Sequence, residues 1–134
     1  MIQPICHLCI WDVNQVKGYI EHEGHARIAT IGTPLIDASE VVPGTVSVID
    51  QQGEEAAYTK QIDAILSRSA DDMDARVEIL RHQWVVATYT DERGQRRVCG
   101  SISMPLGVSA AYRSGSWQLT LQGAAEGPNA CLDG

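Results

Sequence analysis

A chain of 134 residues with 44% apolar and 20% charged residues has the length and composition of one globular domain, which excludes a disordered chain. Seventeen acidic residues against ten basic ones give a formal charge of −7, a balance that repels a phosphate backbone and argues against nucleic acid as a partner. No stretch approaches the ~20 apolar residues of a membrane span, so no membrane partner is expected.

Residues 4–11, 17–22 and 26–31 read as short strands, punctuated by Gly18, Gly24 and Gly32. The segment Thr33 to Pro43 is rich in turn residues, and Val46 and Val48 then alternate with polar neighbours as a further short strand. From Ala56 to Leu66 a period of two puts Ala56, Tyr58, Ile62, Ala64 and Leu66 on one face, with Lys60 interrupting them. A helix is expected over about 69–82. Ser69 offers an N-cap, Asp71 and Asp72 suit its positive end, and Met73, Val77 and Leu80 share one side.

Two hairpins follow. Residues 84–89 run into a polar turn at Asp91-Glu92-Arg93-Gly94 and return through Val98 and Cys99. A four-residue loop would pair Val86 with Cys99 and Ala87 with Val98. In the second hairpin a two-residue Ser114-Gly115 turn sets Tyr112 opposite Trp117, Ala110 opposite Leu119 and Val108 opposite Leu121, so apolar meets apolar throughout. Residues 124–134 show little periodicity and read as a flexible tail on the single domain 1–134. The expected fold class is α+β: a mainly antiparallel β-sandwich or small barrel with one helix inserted between strands.

Candidate chemistry is sparse. Cys6-His7-Leu8-Cys9 has the spacing of two zinc ligands, but no second pair follows, and on a regular strand residues three apart face opposite ways. Reduced thiols are the plainer reading for Cys6, Cys9, Cys99 and Cys131, with a metal- or ligand-binding role for Cys6 and Cys9 as the alternative. His22 and His25 are three apart across Gly24, which loses the shared helical face of a metal motif and suits a turn. Asp71, Asp72 and Asp74 could be imagined around magnesium, yet the first turn of a helix already accounts for them. Arg93, Arg96 and Arg97 cluster around a turn, where solvated charge is expected. No nucleophile elbow, phosphate loop or dinucleotide fingerprint is present. The expectation is therefore a protein that is not an enzyme, with no catalytic residues and no cofactor.

The layout adds one suggestion. A strand at Ala57–Leu66, a short helix, Trp84-Val85-Val86-Ala87-Thr88-Tyr89-Thr90-Asp91, Val98-Cys99-Gly100, a Met104-Pro105-Leu106 step and the final hairpin at Ser114-Gly115 together resemble tail-tube or tail-assembly subunits of phages and prophages, over about residues 45–123. The resemblance implies a non-enzymatic structural protein that self-associates or contacts other structural proteins. With no basic and apolar leader at the N-terminus, a cytoplasmic or virion-associated location is expected.

Overall fold

The computed structural model describes residues 5–53, 57–67 and 73–132. The strands are β1 (Cys6–Asp12), β2 (Val16–His22), β3 (His25–Thr30), β4 (Ser47–Gln52), β5 (Tyr58–Ile65), β6 (Val85–Thr90), β7 (Arg96–Cys99), β8 (Gly107–Arg113), β9 (Ser116–Ala125) and β10 (Ala130–Leu132). Among the described residues one α-helix, α1 (Met73–Leu80), lies between β5 and β6 in the chain. A six-stranded sheet has the order β1-β6-β7-β10-β3-β2, and a four-stranded sheet has the order β4-β5-β9-β8. This is the α+β sandwich expected from the sequence, and the barrel alternative is set aside because no barrel closes among the described residues.

The six-stranded sheet cannot be flat. Its two edge strands, β1 and β2, are joined by a single turn of 3-10 helix, Val13–Gln15. Five inter-strand spacings would hold flat edges ~24 Å apart, whereas the four residue-to-residue steps from Asp12 to Val16 reach at most ~14 Å. The sheet therefore curls, and one bent segment serves both of its edges. The bend is capped reciprocally: the Asp12 side chain accepts from the Asn14 amide at 2.9 Å, and the Asp12 amide donates to Gln15 Oε1 at 3.0 Å.

The main core lies between the sheets. Leu8, Ile10, Val85, Ala87, Tyr89 and Cys99 of the curled sheet meet Ile62, Ala64, Leu119 and Leu121 of the other. Met73, Val77 and Leu80 add the face of α1 expected from their spacing. The helix is tied to β9 by Trp117, whose indole N–H donates to Asp74 at 2.7 Å. Residues 69–72 of the expected span, including Ser69, Asp71 and Asp72, lie outside the described residues, as does Ala56, and Arg81 and His82 form a turn beyond the helix rather than its last residues. A second cluster inside the curl joins Val16, Ala26, Val86, Val98, Ala130 and Leu132.

The β8–β9 register matches the expectation, with Tyr112 opposite Trp117, Ala110 opposite Leu119 and Val108 opposite Leu121. Ser114 and Gly115 take φ of 52° and 81°, the pair of left-handed residues such a tight turn requires. The β6–β7 register is corrected by one residue: Ala87 faces Cys99 and Thr88 faces Val98. Asp91 bonds back to Gln95, so the loop is one residue longer than expected, with Gly94 at φ 85° in its left-handed position. The expectation of a flexible tail at 124–134 is also corrected. β9 runs to Ala125, and β10 is inserted between β7 and β3, parallel to β3. Ala130 and Leu132 are buried there, and the Cys131 amide donates to the Gly24 carbonyl at 2.8 Å, so this short strand is anchored on both sides.

Candidate functional site: a polar cleft beside the sheet junction

The sequence drew attention to cysteines, histidines and acids, and the structure disperses most of them. His22 and His25 sit directly opposite each other where β2 turns into β3 through Glu23 and Gly24, both at positive φ. Asp74 accepts the Trp117 bond. Arg97 is held by Asp91, its Nε donating at 2.7 Å, while Arg93 and Arg96 are exposed.

Cys6 and Cys9 require a correction. Simple alternation would turn them to opposite faces, but Cys6 lies opposite Thr90 and Cys9 opposite Thr88. Those threonines share one face of β6, so Cys6 and Cys9 share a face of β1. A bulge absorbs the extra residue, with His7 at φ 54°. Asp37 approaches Cys9, its Oδ1 4.0 Å from Sγ. Burial, aided by the Asp37 charge, holds the Cys9 thiol above its ordinary value. All four cysteines are free, and among the described residues no three His, Cys, Asp or Glu side chains gather as a metal site.

The most concentrated polar chemistry lies elsewhere. Lys60, noticed in the sequence as an interruption, is on the buried face of β5 and only 2% exposed. Its cross-strand neighbour on β4 is Asp50, and the two form an ion pair. Such a pair survives burial only when its remaining hydrogen-bonding capacity is met. The backbone of Asn129 helps, its N–H donating to Asp50 Oδ2 at 2.8 Å. Asn129 also accepts from Arg97 Nη1 at its backbone carbonyl, 2.9 Å, and its side-chain Nδ2 donates to the Tyr89 hydroxyl at 2.8 Å. The loop before β10 thus ties the four-stranded sheet to the six-stranded one.

Burial sets the titration of the neighbours. It pushes the Tyr89 phenol well above its usual value and the Cys99 thiol up to about 12. Cys99 is therefore a protonated, unreactive thiol at neutral pH.

Over this cluster opens a cleft of about 430 Å³, with Tyr19, Glu21, Lys60, Met104, Glu126 and Asn129 in its lining. Its loop wall starts at Gly100, where φ is 86° and a Cβ would come within 3.1 Å of Leu106, so only glycine turns the chain there without strain. Tyr19 donates to Glu21 at 3.1 Å, and burial followed by the Glu21 charge raises its phenol. Asn129 is 4% exposed, yet its Oδ1 is buried without a hydrogen-bond partner. A buried acceptor left empty costs about 1–3 kcal/mol.

Lys60 was the one signal in the sequence that could have led here. A lysine in an otherwise apolar face of period two needs a buried carboxylate, and Asp50 on the preceding strand is the nearest candidate. Asn129 carried no such signal.

The arrangement defines a two-sheet β protein with a polar cleft at one corner of the sheet junction. No family model, curated protein or solved structure matches the chain. Among the described residues, no helix is long and apolar enough to cross a membrane.

Proposed function

We propose that this chain is a non-enzymatic structural subunit that works through protein–protein contacts, as a phage-like tail component would. One contrast between the sheets carries the reading. The six-stranded sheet has a single bent segment at both edges, whereas the four-stranded sheet ends in two different edge strands, β4 and β8, with one β8 carbonyl, Ala110, accepting from Arg81 at 3.4 Å. β8, Gly107–Arg113, has no proline, lysine or acidic residue of the kind that guards natural sheet edges. Beside it Trp84, 59% exposed, leans on Gly107, and Tyr112 is 50% exposed.

Pairing β8 of one copy with β4 of the next is a head-to-tail contact. Repeated, it extends one sheet from subunit to subunit into a ring or a filament. Light scattering across a concentration series tests this: the mass should grow beyond the monomer, and Ser109→Lys on the exposed face of β8 should hold the protein monomeric. A wild-type protein that stays monomeric at every concentration overturns the reading.

A second reading draws on the bulge at His7. With Cys6 and Cys9 on one face, two thiolates could share a soft metal whose other ligands come from a partner or solvent. Stoichiometric zinc by elemental analysis, lost in Cys9→Ser, would support it, and metal-free protein would remove it.

A further inference from the structure

The cleft has a charge balance that selects its ligand. Lys60 and Asp50 neutralise each other. Among the described residues Glu21 has only the neutral Tyr19 hydroxyl for company, and Glu126, exposed at the rim, has no ion pair. Two carboxylates thus have no cation among the described residues. The buried Asn129 Oδ1 asks for the same thing they do, a hydrogen-bond donor. Apolar surface is supplied by Val98 and by Ile102 and Met104, both of which are exposed. Such a lining offers an aliphatic chain a resting place short of the acceptors.

We propose that the cleft binds an alkylammonium group, with Glu21 and Glu126 holding its charge, Asn129 Oδ1 accepting one of its N–H bonds, and Ile102 and Met104 covering its methylenes. An ammonium carries three donors and no acceptor, which matches a site whose free groups all accept. Charge-assisted bonds of this kind are about twice as strong as neutral ones. An anion would meet two bare carboxylates and a lysine already neutralised. A neutral alcohol could satisfy Asn129 but would leave the carboxylates without a countercharge. The group could arrive on a free diamine or on a lysine side chain of a docked protein, and the cleft reads the same chemistry in both. The assignment does not rest on the assembly reading, and the Ser109→Lys variant tests it in the monomer.

The experiment is a titration of the isotopically labelled protein, followed at the Asn129 side-chain amide in proton–nitrogen correlation spectra. Diaminobutane, the Nα-acetyl methylamide of lysine and the neutral isostere butanediol are added in turn. At least one amine should shift the Asn129 resonances saturably, while butanediol should not. Response to the diamine alone assigns a free amine, and response to the lysine amide assigns a side chain supplied by a partner. Glu21→Gln and Glu126→Gln, both at exposed positions, should each weaken binding about tenfold, the loss of one charge-assisted bond. Glu92→Gln, exposed in the β6–β7 loop, should leave it unchanged. An equal response to butanediol, indifference to both cleft substitutions, or no saturable shift with either amine overturns the proposal.

Discussion

The two faces of the curled sheet bury unlike interiors. Between the sheets the core is filled with leucine, isoleucine and valine from both layers and from α1, while the fully buried cluster inside the curl is valine and alanine with one leucine, and Trp11, Tyr19 and Ile28 pack against it partly buried. Curvature accounts for the difference: a sheet bent tightly enough to bring its own edges together closes its deepest interior over small side chains, and the larger Trp11, Tyr19 and Ile28 stay only partly buried. The cleft opens where these interiors meet, since Val98 and Ala130 of the small cluster line it alongside Lys60 of the opposite sheet. The large core supplies stability, and the junction holds the polar groups.

The sharpest way to break that division is to remove the charge that makes Lys60 tolerable. Asp50→Ala leaves a buried ammonium unpaired and should cost about 3–5 kcal/mol in denaturant unfolding. Replacing both partners, as Lys60→Met with Asp50→Val, should recover most of the loss, which would identify unpaired charge as its cause. The cores are compared next. Leu119→Ala between the sheets should cost about 2–5 kcal/mol. Val98→Ala inside the curl, two methyl groups smaller, should cost about 1.5 kcal/mol by the same measurement. Equal losses would mean that the two interiors are one cooperative core.

The smallest effect is one of pH. The Cys99 thiol is raised from 9.0 to about 12 by burial, so above pH 9 the unfolded chain ionises while the folded one does not. The thiol's stability contribution is complete below pH 9 and is lost as pH rises from there towards 12. Cys99→Ala should flatten that alkaline decline. Mass spectrometry after brief alkylation should find Cys99 unmodified in the native protein while the partly exposed Cys6 and Cys131 react.

What could be read beforehand follows from how many constraints met at each place. In the β8–β9 hairpin the turn residues and the apolar pattern agree on one register, and the structure has it. β6 offers no such check. Val85 through Tyr89 are buried on both faces, so sliding the partner by one residue changes nothing in the pattern, and the loop alone decides. The bulge at His7 leaves no mark in composition, yet it reverses the facing of Cys6 relative to Cys9. β10 is three residues long, too short for any period, and its partners are far away in the chain. At the cleft, Lys60 was conspicuous because it broke a pattern, whereas Asn129 acts mainly through its backbone and an amide that any loop asparagine carries.

The position of β10 also has a consequence for synthesis. Strands β1, β6 and β7 form one half of the curled sheet and β3 with β2 the other, and residues 130–132 are the ladder between them. Once the first hundred residues have emerged from the ribosome, the strands of both half-sheets are present but the ladder between them is not. Only when Leu132 has left the exit tunnel can the halves join. Until then the nascent chain exposes the β7 and β3 edges that a chaperone or a neighbouring copy could capture.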